Sequence, residues 1–539
     1  MRENREIPWL PVGVDDAPSW MVRGVADQRW LGREGNASGG NPLMHDHGKS
    51  DRPIVQANPP NNPGLLGAEV GEGRGLPEGN TAGETRSGRS AGLGVSSDLD
   101  RVRQVARRDK DVRFTALLHH VTVDRLREAY RAISTDAAAG VDGVTWRDYG
   151  HDLEGNLEDL HARVLRGAYR ARPTRRVFIP KPDGRLRPLG VASLEDKILQ
   201  RAVVEVLNAV YEADFLGFSY GFRPGRSQHD ALDALAVGIT RKKVNFMLDA
   251  DISDFFTGLD QGWLERFIEH RIADKRVLRL IQKWLRAGVI QDGEWSETEA
   301  GTAQGASVSP LLSNVFLHYV FDLWADQWRR RHARGDVILC RYADDFLAGF
   351  EHRDDAERFL ADLRDRFAQF GLGLHPDKTR LIEFGRFAAE RRAARGDRKP
   401  ETFDFLGFTH ICATNRHGRF KLKRVTSKKK MRAKLKSVKT EMRRRMHHPI
   451  PEQGRWLARV LHGHYNYYAV PDNSDALRGF RERVIRHWRQ ALSRRSQKGQ
   501  ITWPRAGRLA DRWLPQPRIL HPWPDARFDA KTRGRSPVR

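Results

Sequence analysis

From about Asp100 to Gly407, strand-length apolar runs alternate with stretches of helical periodicity. Leu117, Leu118, Val121, Leu126, Ala129 and Tyr130 recur near helical spacing and predict a helix from Phe114 to Ala132. Arg176 to Ile179 and Leu186 to Val191 read as strands around the turn Pro182-Asp183-Gly184-Arg185. A long amphipathic helix follows from Leu194 to Tyr211, then a strand from Val244 to Ile252 and helices over Trp263 to His270 and Lys275 to Ala287. Val308 to Trp328 reads as one helix that Pro310 can start, because its missing N–H costs nothing in a first turn. Val337 to Phe350 reads as strand, tight turn, strand, and Asp354 to Phe370 as a helix stopped by Gly371. Beyond Gly407 the pattern becomes helical and basic, over Lys428 to Arg445, Gly454 to Tyr468 and Ser474 to Arg495.

Residues 1–100 lack such patterning. They hold 17 Gly and 9 Pro, too little apolar surface to offset chain entropy, and are expected to be a disordered extension. No signal core or transit-peptide pattern begins the chain, and no run of about 18 uncharged apolar residues predicts a membrane span. The two cysteines, Cys340 and Cys412, exclude a disulfide framework and a four-cysteine zinc site, so the reducing cytoplasm is the expected compartment.

Charge sharpens the division. The 539 residues carry a formal net charge of +25, yet residues 1–410 hold 60 Lys+Arg against 61 Asp+Glu. From Ile411 onward the balance is 34 against 8. A segment this basic, with Trp, Tyr and Leu interleaved, is expected to bind a polyanion, nucleic acid first, by displacing counterions from phosphates.

The candidate chemistry lies in acids at strand ends. Tyr342-Ala343-Asp344-Asp345 sits between two apolar strands, so a hairpin tip presents adjacent carboxylates. Such a pair repels itself unless a cation intervenes. Phe246-Met247-Leu248-Asp249-Ala250-Asp251-Ile252 is a second acid-tipped strand, on which Asp249 and Asp251 share a face by parity. One of these with Asp344 could hold two Mg²⁺ ions, the arrangement that clamps the attacking and leaving oxygens of an in-line nucleotidyl transfer.

With these residues the chain resembles the group II intron-encoded reverse transcriptase/maturases of bacteria, from about Phe114 to Pro524. Ile179-Pro180-Lys181-Pro182-Asp183-Gly184 with Arg187-Pro188-Leu189-Gly190 is similar to the fingers hairpin. Tyr220-Gly221-Phe222-Arg223-Pro224-Gly225-Arg226-Ser227 resembles the next block, and Asp249-Ala250-Asp251-Ile252 with Phe255-Phe256 the first catalytic one. Gly301-Thr302-Ala303-Gln304-Gly305, followed by Ser309-Pro310-Leu311-Leu312, resembles the template and nucleotide block. Tyr342-Ala343-Asp344-Asp345, Gly371-Leu372-Gly373-Leu374 and Phe405-Leu406-Gly407-Phe408 complete the order.

The resemblance implies an α+β, right-hand-like polymerase. Fingers and palm would span 101–410, with an antiparallel palm sheet packed by helices. An α-helical thumb/maturase domain would span 411–525, and a basic tail 526–539. It implies Asp251, Asp344 and Asp345 as catalytic acids and metal ligands, with Ile252 in the metal set and Asp249 a neighbour. The cofactor is two Mg²⁺, with Mn²⁺ as a substitute. Lys181 and Arg187 match the positions that hold the incoming triphosphate, Gln304 the glutamine under the nucleotide, and Phe256 the aromatic gate that favours deoxynucleotides. Lys378 and Gly407 match primer, template or palm contacts.

Lys428, Lys429, Lys430, Arg443, Arg444, Arg494 and Arg495 are expected to face RNA, whereas the tyrosines of Leu461-His462-Gly463-His464-Tyr465-Asn466-Tyr467-Tyr468 more often pack a core. Three positions depart from the family pattern: Ala303 where proline is usual, Asp254 where Lys or Gly is frequent, and Thr257 where an acid is frequent. The implied partners are intron RNA, an RNA template with DNA primer, target DNA and dNTPs, with monomer and homodimer both open. Without a Cys-x-x-Cys pair, no nuclease of the His-Asn-His type is expected. A splicing-only maturase and a repurposed defence or retron-like relative are the competing readings.

Overall fold

The computed structural model describes residues 93–180, 186–291, 294–296, 301, 305–496 and 499–532. The expectations for residues 1–92, Lys181 with its turn, Gln304 and residues 533–539 lie outside the described residues. Those described form a mixed α+β chain with three small sheets.

The central sheet has the order β6-β7-β3-β8, from β3 (Phe246–Ala250), β6 (Val337–Tyr342), β7 (Asp345–Phe350) and β8 (Arg380–Glu383). All its pairings are antiparallel. Strands β3, β6 and β7 are largely apolar because helices cover both faces of the sheet. Met247, Ile338, Cys340 and Leu347 pack with Leu235 of the helix Gln228–Arg241. On the other face Phe346 meets Phe321 and Phe367, and Phe350 meets Trp328 and Phe359.

A second sheet, β2-β1-β4-β5, holds β1 (Thr174–Pro180), β2 (Leu186–Val191), β4 (Val289–Gln291) and β5 (Glu294–Ser296). Pro188 is tolerated because β2 is an edge strand. The next helix, Leu194–Asp214, is capped by Ser193, whose side chain accepts from the Asp196 N–H.

The third sheet, β9 (Phe403–Phe405), β10 (Phe408–Thr414) and β11 (Phe420–Thr426), was not foreseen. A boundary at 410/411 would cut through β10, and Phe405, Phe408 and Leu422 belong to the same core as the central sheet. The helical C-terminal module begins only after β11. Met431, Leu435, Val438 and Met442 line one face of the helix Lys428–Arg444 and pack with Leu477, Phe480, Val484 and Trp488 of Ser474–Ser493. The helices Ile450–Tyr468 and Trp503–Trp513 complete this core, the latter beyond the sequence pattern.

Other boundaries move for local reasons. The helix Leu93–Arg108 reaches into the stretch expected to be disordered, and Leu99, Val102 and Ala106 are buried. The helix expected over Phe114 to Ala132 is only Val123–Arg131, because Asp274 captures the Leu117 and Leu118 N–H groups at 2.8 and 3.0 Å and Thr122 caps the shortened helix. The helix expected from Val308 is interrupted by a π turn, His318–Asp322, between Ser309–Leu317 and Leu323–Arg331. The basic tail expected from residue 526 is, as far as it is described, part of a helix, Pro524–Thr532. Its Phe528 is buried in the central core, and Lys531 pairs with Asp230 at 2.7 Å.

Candidate active site

Strands β6 and β7 pair as far as Tyr342↔Asp345, which leaves a two-residue turn, Ala343-Asp344. Ala343 has φ +57°, a conformation a Cβ resists, so the surrounding structure must hold it there. Strand β3 pairs with β7 as far as Ala250↔Phe346. Continuing that antiparallel register brings Asp251 alongside Asp345. Three carboxylates therefore gather at one end of the sheet, with Asp251 and Asp344 half-buried and Asp345 exposed.

Beyond β3 the chain is pinned on the β8 side. The His375 N–H donates to the Asp251 carbonyl and the Ser253 N–H to the Gly373 carbonyl, each at 2.8 Å, around the bridge Ile252↔Leu374. In such a pair the Ile252 N–H and C=O point to the opposite side, toward the hairpin. Lys378 places its ammonium on Asp251 Oδ2. Asp249 has a separate partner, Arg380, at 3.1 Å. Burial pushes the Asp249 carboxyl up from its ordinary value while Arg380 pulls it down.

Phe255 and Phe256 divide their work. Phe255 is buried, edge-on to Phe256 and Phe316, whereas Phe256 is half-buried. Behind Phe256, Gly301 lies so close that a Cβ there would meet the Phe256 carbonyl at 2.3 Å, and a Cβ on Gly305 would meet the Gly190 carbonyl of β2 at 2.8 Å. Gly301 and Gly305 are thus pressed against Phe256 and β2 respectively. On that strand Arg187 stands opposite Ile179 and is half-buried.

The C-terminal candidates separate. Leu406 and Gly407, both at positive φ, make the β9–β10 turn, and the Tyr467 hydroxyl donates to the Leu406 carbonyl at 2.7 Å. This joins Gly407 to the helix Ile450–Tyr468. Tyr465 is buried, Tyr467 stacks on Phe408 and Tyr468 packs against it at a tilt, so these tyrosines are packing residues. Lys428, Lys429, Arg443, Arg444 and Arg494 are exposed and Lys430 is half-buried. Arg444 lies 3.5 Å from Glu441. Arg495 is half-buried, and its guanidinium donates to the His448 carbonyl.

The sequence pattern also missed Arg341, buried beneath the Ala343-Asp344 turn, and its partners Ser219, Asn314 and Asp322. Their only local signal is a charged residue inside an apolar strand.

The donor set at the sheet end is all oxygen, which suits a small hard cation. Among the described residues no three His, Cys, Asp or Glu side chains close into a cage. The acids offer an open platform on which Mg²⁺ would take its remaining ligands from water and substrate phosphates, its usual habit. Among the described residues no helix is long and apolar enough to cross a membrane.

Residues 179–410 match the family described as Reverse transcriptase (RNA-dependent DNA polymerase). Protein YkfC of Escherichia coli (strain K12) is 34% identical over 272 residues, covering 44% of this chain and 71% of that protein. Group II intron-encoded protein LtrA of Lactococcus lactis subsp. cremoris is 31% identical over 222 residues, 41% of this chain. An uncharacterized 91 kDa protein in cob intron of Schizosaccharomyces pombe is 38% identical over 170 residues, 31% of this chain. The matches span only 37% and 21% of the lengths of these last two. The chain belongs to the reverse transcriptase family, carries an RNA-dependent DNA polymerase domain, and is related to group II intron-encoded proteins.

Proposed function

We propose that this protein is the reverse transcriptase of a group II intron, copying intron RNA into DNA during mobility and binding that RNA as a maturase to promote its splicing. The observation that carries the polymerase half is the convergence of Asp251, Asp344 and Asp345 at the joined ends of β3 and the β6–β7 hairpin. In this reading the central sheet is the palm, the β1–β2 hairpin the fingers, and the helices from Lys428 onward the thumb. The maturase half is supported by the likeness to the group II intron-encoded protein LtrA and by the basic, separately cored C-terminal helices.

Asp251, Asp344 and Asp345, with the Ile252 carbonyl turned toward the hairpin, would hold two Mg²⁺ ions, and Mn²⁺ would substitute. Bound there, the ions supply Lewis-acid activation of the primer 3′-oxygen and charge neutralisation at the leaving pyrophosphate. The chain's own groups do the rest. Lys378 balances Asp251 and moves aside as the site fills. Arg187 on β2, with Lys181 nearby in sequence, neutralises the triphosphate. Phe256 narrows the space beside the sugar.

Primer extension on an RNA template with dNTPs and Mg²⁺ tests the reading, wild type beside Asp344→Asn, with intron RNA binding and splicing measured on the same preparations. The variant should lose extension and keep RNA binding and splicing, since the acid serves metal chemistry while RNA grip is spread over the thumb. Equal loss of splicing refutes the separation. Wild-type protein that splices but never extends favours the splicing-only maturase.

A further inference from the structure

Arg341 lies on β6, two residues before the strained Ala343, and its side chain is fully buried. By strand parity it projects from the opposite face of the sheet to Tyr342. Each of its N–H donors has an acceptor. Nε and Nη2 donate to the two oxygens of Asp322 at 2.7 and 2.6 Å, a bidentate pair with both side chains out of solvent. Nη2 also donates to the Ser219 hydroxyl at 2.7 Å. Nη1 donates to the Asn314 side-chain oxygen at 3.0 Å and to the Ala343 carbonyl at 2.9 Å.

That last bond is the informative one, because the Ala343 carbonyl belongs to the peptide that joins Ala343 to Asp344. The partners come from two separate stretches, the Phe218–Gly221 segment and the helix from Ser309 that runs through the π turn His318–Asp322. The main chain repeats the connection. The Arg341 N–H donates to the Phe218 carbonyl, and the Tyr220 N–H to the Arg341 carbonyl, each at 2.9 Å. Asn314 closes the circuit by donating to the Gly221 carbonyl at 2.7 Å. Gly221 itself lies so close that a Cβ would meet the Ala343 nitrogen at 2.3 Å.

A buried ion pair is a weak source of net stability, because desolvation consumes most of its attraction. What this one supplies is a fixed hydrogen-bond donor under an unfavourable backbone conformation. We infer that Arg341 is a positioning residue for catalysis: clamped by Asp322, Asn314 and Ser219, it holds the Ala343-Asp344 peptide in its left-handed turn and so fixes where the Asp344 carboxylate stands. The inference rests on Asp344 being a metal ligand. It assigns the π turn a purpose, since that turn delivers Asp322 to the guanidinium.

The test compares wild type, Asp344→Asn, Arg341→Lys and Asn314→Ala. An ammonium in Arg341→Lys keeps the charge facing Asp322 but cannot span the other acceptors. Single-nucleotide incorporation should show kcat reduced at least tenfold in Arg341→Lys, with KM for dNTP and template–primer affinity within about twofold of wild type. Mn²⁺ titration by electron paramagnetic resonance, on a complex with dideoxy-terminated primer and dNTP, should show weakened binding. Asn314→Ala should show the same changes in smaller measure.

Wild-type kcat and Mn²⁺ binding in folded Arg341→Lys overturn the inference. So does a loss of kcat accompanied by an equal loss of template–primer affinity, which would make the network merely structural. If Arg341→Lys does not fold, Asn314→Ala decides by the same criteria. Full activity in Asp344→Asn would instead overturn the reading of the acids, which keeps the two failures distinct.

Discussion

Asp233, on the helix Gln228–Arg241, is shared by Arg424 of β11 at 2.8 Å and by Arg527 of the C-terminal helix. Asp233 is 1% exposed and Arg424 is buried beside it, so neither charge can fall back on water. Asp233→Asn removes the counter-charge of both arginines and should cost about 3–5 kcal/mol of unfolding free energy. Arg527→Gln, which leaves Asp233 paired with Arg424, should cost less. Urea midpoints of the two variants check the order. A wild-type midpoint in Arg527→Gln would mean that the C-terminal helix does not depend on this ion pair.

Gly221→Ala would drive a methyl group into the Tyr342–Ala343 backbone, which cannot yield without moving the turn. Gly385→Ala makes a comparable clash, 2.0 Å from the Val244 carbonyl, at the far end of the sheet and at φ +136°. Both should destabilise by about 1–3 kcal/mol. Only Gly221→Ala should also lower kcat by more than tenfold at matched folded fraction. Unchanged kcat in Gly221→Ala would show that the turn tolerates displacement.

The acids were legible because each lies beside a local pattern, an apolar run that ends in carboxylates. The third sheet was not. In β11, Lys421 and Lys423 alternate with Leu422 and Arg424, and this reads as a basic surface until Asp233, far back in the chain, is seen to neutralise Arg424. Arg341 was invisible for the same reason, since its acceptors arrive from residues 219, 314 and 322. The helix Pro524–Thr532 has one buried apolar residue, Phe528, and is otherwise fixed by ion pairs, so no periodicity announces it. Periodicity also overran at Phe114–Thr122, where a distant Asp274 captures the backbone N–H groups a helix would use.

Phe256 and Phe255 give a paired prediction about substrate choice. Phe256→Ala removes the half-exposed ring proposed to meet a ribose 2′-hydroxyl. Incorporation of ribonucleotides relative to deoxynucleotides should rise by roughly tenfold or more, with little loss of stability. Phe255→Ala empties a core site and should cost about 3–5 kcal/mol without changing sugar preference. Competition between the two nucleotide classes on one primer separates these outcomes. Unchanged preference in Phe256→Ala would return that ring to a packing role.

Acid should weaken the fold through three buried histidines. His318, His410 and His464 are each held down to about 3 by burial, with Arg341, Arg424 and Lys434 respectively adding to the effect. Their folded values lie below the unfolded value of about 6.5, so the unfolded chain binds more protons between these limits. Stability from this source is complete above about pH 6.5 and declines as pH falls toward 3, by at most about 1.4 kcal/mol per pH unit for each histidine. Urea midpoints should be flat from pH 7 to 8 and fall between pH 6 and 5. His464→Phe, whose ring would stack on Phe480 as the imidazole does at 3.7 Å, should shallow the decline.

Lys428 and Lys429 stand exposed in the first turn of the helix Lys428–Arg444, where no acid accompanies them. That end of a helix carries the positive pole of the macrodipole, so two lysines there oppose the helix they begin. A sequence under selection for stability alone would place acids at these positions. Lys428→Glu and Lys429→Glu should therefore stabilise the helix by about 0.3–1 kcal/mol each at low salt, read as a raised melting temperature. The same substitutions should weaken RNA binding and flatten its dependence on salt by about 1.4–1.8 in the log–log slope, the share of two phosphate contacts. Opposite signs in the two measurements would identify these lysines as held for RNA. A raised melting temperature with an unchanged salt slope would show that the cluster does not touch phosphate.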